Sequence, residues 1–152
     1  MTRTAAVWLR RLRGLTLREV RLLAEAQVVL LACQYERWRR PVGELLGRAE
    51  PEPERRAPSR EDRRIAEAVA WAVTRAARYG VFRPQCLVRS MAIQRMLRRR
   101  GITASRINVG VRRRNGEFEA HAWIELDGVV IGDSRQHVQT FTRLPDLRLV
   151  EF

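Results

Sequence analysis

Not one lysine occurs among the 152 residues, so all 30 basic side chains are arginine. With no lysine there is no G-x-x-x-x-G-K-[ST] phosphate loop, and nothing in the chain reads as a nucleotide site. The uniform choice of arginine reads as a GC-rich coding bias rather than 30 positions that each need a guanidinium. Only two cysteines are present, Cys33 and Cys86, which excludes a disulfide framework and makes a reducing cytoplasm the expected compartment. Histidine is equally scarce, at His121 and His137. Long hydrophobic runs are absent too. The longest, Leu22 to Cys33, is interrupted by Glu25 and Gln27, whereas a membrane span needs roughly 20 predominantly apolar residues. No signal-peptide cleavage pattern precedes it. There is no internal repeat, and low complexity is confined to the Pro/Glu/Arg stretch at 50–58.

What is there is a globular composition, 45% hydrophobic and 31% charged, on a chain long enough for one domain with a real core. The net charge of +13 is unevenly spread. Residues 81–115 carry 10 arginines and no acid, while residues 116–152 carry 3 arginines and 7 acids. A positive zone beside a negative one favours an acidic partner or substrate over a uniformly sticky cation. Nucleic acid is the competing partner class.

Periodicity organises the chain. Thr16-Leu17-Arg18-Glu19 is a capping box, and the apolar pattern behind it predicts a helix to about Arg39, ended before Pro41 and Gly43. Ser59 opens a second helix, with Ile65, Ala68, Val69, Ala72, Val73 and Ala76 at 3/4 spacing and Gly80 at its end. A third follows Pro84 and stops at Gly101. From Ser105 the period drops to two. Asn115-Gly116 and Asp127-Gly128 are hairpin turns joining strands read over 105–112, 118–126 and 129–133, and Leu147 to Phe152 can supply a last strand. The expected division is an N-terminal helical segment at 1–47, a linker at 48–58 and a core at 59–152. Helices first and an antiparallel meander afterwards make an α+β fold.

Cys86 stands at the predicted start of the third helix, where the backbone dipole and unpaired N–H groups favour a thiolate and could face an oxyanion. Arg83 and Arg89 push the same way. Plain packing of a small apolar residue is the alternative there. Cys33, deep in an apolar run, reads as core. A thiolate cannot complete peptide hydrolysis alone, because the leaving amine needs a proton. His121, between Ala120 and Ala122 on a strand, can supply it, while His137 in the polar stretch "SRQHVQT" reads as a solvated surface residue. Asp133, 12 residues after His121, is the candidate that orients the ring. Strand parity tests this. A two-residue Asp127-Gly128 loop would put His121 and Asp133 on opposite faces, so the catalytic reading expects a three-residue Leu126-Asp127-Gly128 loop or an equivalent bulge, and a regular two-residue hairpin would count against it.

The stretches "CLVRSMAIQRMLRRRGI" and "VGVRRRNGEFEAHAWIELDGVVIGD" resemble the lasso peptide biosynthesis B2 proteins, transglutaminase-like cysteine proteases that remove the leader from a lasso precursor. The Cys, Ala-His-Ala-Trp and closing Gly-Asp elements stand in order, and the resemblance spans roughly 81–135. It implies a papain-like or transglutaminase-like fold with the nucleophile helix packed on the sheet, and no cofactor. It also implies Cys86 as nucleophile, His121 as general base and acid, and Asp133 as the orienting group. Fused members carry an N-terminal leader-recognition module, for which the chain before residue 60 has no room. The resemblance therefore implies a separate leader-recognition protein as partner, the precursor leader peptide as ligand, and an ATP-dependent lasso cyclase acting downstream. The 17–39 helix or the basic zone at 81–115 is the expected docking or leader-binding surface.

Two alternatives stay open from sequence. The same three residues serve acyl transfer, of the transglutaminase or arylamine N-acetyltransferase type, when an amine rather than water accepts the acyl group. The arginines alone would also serve a basic nucleic-acid-binding module.

Overall fold

A computed structural model describes residues 14–41 and 56–144. Helix α1 (Leu17–Arg39) begins with a complete capping box: Glu19 N–H donates to Thr16 Oγ1, and the Glu19 carboxylate accepts from Thr16 N–H. Helix α2 (Arg60–Tyr79) repeats the device with Ser59 and Asp62. Helix α3 (Cys86–Arg98) does not. Its N-cap, Gln85, makes no side-chain hydrogen bond, so the first-turn N–H groups have no capping side chain. The helix ends at Arg98, and Gly101 takes the left-handed conformation just beyond it, with φ +76°.

Two hairpins then build the sheet. β1 (Ser105–Arg114) and β2 (Glu117–Leu126) pair in a single register, Arg114 opposite Glu117 and Ser105 opposite Leu126. Asn115 and Gly116, with φ of 53° and 87°, form the two-residue turn whose twist matches the strands. Asp127 and Gly128, at 51° and 76°, do the same between β2 and β3 (Val129–Ile131). Helix α4 (Arg135–Val138) follows, and β4 (Thr142–Arg143) adds to the other side of β1, giving the order β3-β2-β1-β4. The expected strand at 147–152 lies outside the described residues, as does the linker expected at 48–58 except for its last three residues. The sheet's described second edge is instead β4, whose two residues carry too little periodicity to be read beforehand.

One core joins the three long helices to one face of the sheet. Val29, Leu30 and Cys33 of α1 meet Val69 and Val73 of α2, Val88, Ala92 and Met96 of α3, and Ala122, Ile124 and Leu126 of β2. The N-terminal helix is thus built into the core. On its opposite face Val28, Leu31, Tyr35 and Trp38 are exposed, with no other described element packed over them. A smaller cluster of Trp123, Val138 and Phe141 covers the other side of the sheet. Gly110 makes this second layer possible, because a Cβ there would come within 3.0 Å of Phe141, Trp123 and the Thr142 carbonyl. No helix among the described residues is long and apolar enough to cross a membrane.

Two ion pairs clip α1 to the end of α3. Arg100 reaches Glu25 at 2.5 Å and Arg95 reaches Glu36 at 2.5 Å. The arginine hydrogen bonds hold both carboxyls below the usual carboxylate range. The folded protein therefore binds fewer protons than the unfolded chain. This stability is present above the ordinary carboxyl pKa and is lost as pH falls through the lowered folded values. A Glu25→Gln, Glu36→Gln double variant should melt about 2–8 °C lower at pH 7, at roughly 0.5–1 kcal/mol per pair. The difference should shrink steadily as pH falls below the ordinary carboxyl range in thermal melts followed by circular dichroism.

Candidate active site

His121 lies on β2, opposite Gly110 of β1. Strand alternation gives Ala122 and Ile124 to the helical core and turns His121 and Trp123 to the other face. There the imidazole is walled by rings. Phe141 lies 5.1 Å away between centroids, Trp123 stacks at 6.3 Å, and His137 approaches edge-on at 4.9 Å. His137 is exposed, as its sequence setting indicates, but it sits on α4 rather than in a loop and touches the His121 ring.

Asp133 reaches that ring. Its Oδ2 is 2.6 Å from His121 Nε2, and its Oδ1 accepts from Ser134 N–H at 2.7 Å. The two side chains are only 11% and 19% exposed, so solvent screens the contact weakly. With Nε2 committed to the carboxylate, Nδ1 is the nitrogen left to exchange a proton.

The expected three-residue loop does not form: the hairpin is the regular two-residue kind that, by strand parity, counts against the pairing, and a different device brings Asp133 round. The Asp127-Gly128 turn has two residues, and Leu126 pairs with Val129, so a regular strand would have turned Asp133 away from His121. The strand stops instead at Ile131, and Gly132 adopts φ +71°. That left-handed residue reverses the alternation, acting as the equivalent of a bulge. It also fits where little else can: a Cβ at 132 would lie 2.9 Å from Ile93 Cδ1 and 3.4 Å from Ala70 Cβ. The Thr74 hydroxyl, at 3.5 Å, faces the Gly132 carbonyl. Asp133 was expected at a strand end; it follows a glycine kink two residues beyond one.

Cys86 is the first residue of α3, partly buried against the helical core, with a free thiol. No hydrogen bond joins it to His121, so two of the three candidate residues are in contact and the third is held through the fold. The link is Ser90. Its hydroxyl donates to the Ala122 carbonyl at 3.3 Å, pinning α3 to β2 at the residue beside His121. Cys86 is one turn before Ser90, about 6 Å along the axis. Ser90, Gly132 and Phe141 carry no chemistry of their own, which is why motif reasoning passes over them. A small polar residue four places after the cysteine, on the buried face, was the available signal for Ser90.

The arrangement can do thiol chemistry. The uncapped start of α3 presents N–H donors beside Cys86, and an oriented imidazole stands on the neighbouring strand. Burial pushes the thiol of Cys33 up to about 11, which suits a core residue and not a nucleophile.

No curated protein and no solved structure matches the chain. A family model described as the transglutaminase-like superfamily matches residues 27–146, a span that runs from α1 through β4 and includes Cys86, His121 and Asp133. Four antiparallel strands backed by helices, the cysteine-bearing one among them, are the α+β papain-like architecture of that group. With most of its length inside the match, this chain belongs to the transglutaminase-like superfamily.

Proposed function

We propose that the protein is a cysteine peptidase that removes the leader from a lasso peptide precursor. The observation that carries the reading is the His121–Asp133 contact at 2.6 Å, on the strand to which the cysteine-bearing helix is pinned. In the proposed reaction Cys86 gives its thiol proton to His121, the sulfur attacks the carbonyl carbon at the leader/core junction, and the carbonyl electrons move onto oxygen facing the α3 N–H groups. The C–N bond then breaks, and His121 passes its proton to the leaving core amine. Water, deprotonated by His121, cleaves the leader thioester and restores the thiol. Asp133 holds the ring's tautomer throughout. Catalytic hydrogen bonds often tighten only when substrate is bound, so the thiol–imidazole contact belongs to that complex. A separate recognition protein holds the leader, and the released amine becomes the substrate of an ATP-dependent cyclase.

Intact-mass analysis of a candidate precursor, incubated with the full chain with and without a leader-binding protein, tests this. Two fragments whose masses sum to the precursor plus one water are expected. Leader carrying an added amine in place of water would move the reading to acyl transfer, and an unchanged precursor in both arms would sink it.

A further inference from the structure

A groove of about 770 Å³ runs along α2 to the chain leaving β3, and ends at Asp133. Four arginines and two acids line it. Arg63 is occupied by Asp127 at 3.1 Å, and Asp133 by His121. That leaves Arg75, Arg78 and Arg89, with Glu67, along the groove wall. The Arg75 guanidinium stands over Trp71 at 5.4 Å and also influences the Glu19 carboxylate, while Arg78 stands over Tyr79 at 5.4 Å. An arginine held by its face on an aromatic ring keeps its N–H edge for another partner. Arg89 is the more telling. It is half-buried, forms no ion pair among the described residues, and its Nε is buried with no hydrogen-bond partner. With that N–H already lacking a partner, the rest of the guanidinium, which lines the groove, has no carboxylate of its own to offset it.

We infer that this groove binds an acidic side chain of the peptide substrate, with Arg89 as its main contact and Arg75 and Arg78 beside it. The location next to the cleaved bond rests on the peptidase reading; the binding itself does not. Arg89 follows Cys86 by three residues, on the same side of α3, which puts the two Cβ atoms about 5–6 Å apart. An extended peptide advances about 3.3–3.6 Å per residue, so the acid falls within about two residues of the scissile carbonyl. A carboxylate matches the planar fork of arginine. A continuous phosphate backbone would instead meet Glu67 and Asp133, so an acidic peptide is the better occupant.

The test uses the full chain with Cys86→Ser, which cannot turn over, and fluorescein-labelled hexapeptides differing only in two Glu or two Gln. Fluorescence anisotropy should show the Glu peptide bound about tenfold or more tightly, the scale of one charge-assisted hydrogen bond. Arg89→Gln and Arg78→Gln should each erase most of that preference without weakening the Gln peptide. Arg98→Gln, the same charge change outside the groove, should leave it intact. Arg78 is exposed, so its variant keeps the test alive if Arg89→Gln fails to fold. Equal affinities for the two peptides would overturn the inference. So would an equal loss with Arg98→Gln, or a single-stranded oligonucleotide of matched charge binding more tightly than the Glu peptide. Discrimination without precursor cleavage by the wild-type chain would reject the peptidase reading alone. Cleavage without discrimination would reject the groove alone.

Discussion

Cys86→Ala should yield a folded protein with at least about 10³-fold less precursor cleavage, since covalent catalysis loses its nucleophile while binding groups stay in place. The fold should persist for a local reason. Cys86 sits at the partly buried end of α3, whereas the helix is held by Val88, Ala92 and Met96 in the core and by Ser90 on β2. Removing one sulfur there costs about 1 kcal/mol or less, against the 2–5 kcal/mol of a fully buried large side chain. Circular dichroism and a melting temperature within about 4 °C of wild type would verify this. Native-state labelling with iodoacetamide separates the two thiols. Cys86 should be alkylated near neutral pH, while Cys33, fully buried and with its pKa pushed up to about 11, should react only after unfolding. Undiminished cleavage by Cys86→Ala would remove the thiol from the mechanism altogether.

Gly132→Ala should nearly abolish cleavage as well, without touching any of the three proposed catalytic side chains. A Cβ at φ +71° costs about 1–2 kcal/mol in backbone strain, and the new methyl would press on Ile93 Cδ1 at 2.9 Å. The chain relieves both by relaxing toward extended backbone. Extended backbone restores strand parity and swings Asp133 off His121. Loss of an orienting carboxylate drops the rate by about 10²–10⁴-fold, so Gly132→Ala should approach Asp133→Ala in kcat. A double variant should then be no worse than either single one, because both remove the same contact. Independent, additive losses would show that Gly132 acts elsewhere.

Much of this site could be read in the residues because its devices are local. The capping boxes at Thr16 and Ser59, the period change at Ser105 and the paired-residue turns at 115–116 and 127–128 each depend on neighbours in the chain, and the helix and strand limits follow. The parity of β2 and β3 likewise follows from pairing alone, and it flagged that something irregular had to bring Asp133 round. What it could not show was that the irregularity lies after the strand. Gly132 is a glycine because Ile93 of α3 and Ala70 of α2 crowd it, and those contacts are long-range. The rings around His121 escaped for the same reason. His137 and Phe141 are in polar surroundings along the chain, and only the return of residues 135–143 across the outer face brings them onto the imidazole.

The order of these parts along the chain also sets an order in time. Translation delivers α3 and its thiol some fifty residues before the Phe141 that walls His121. Until residues 133–141 leave the ribosome and that stretch folds over Gly110, the imidazole of a nascent chain lacks the Asp133 carboxylate and the Phe141 ring that fix it. On the proposed assignment, the growing polypeptide carries a reactive sulfur without an aligned base, and becomes a peptidase only when synthesis has passed the residues that close the outer face.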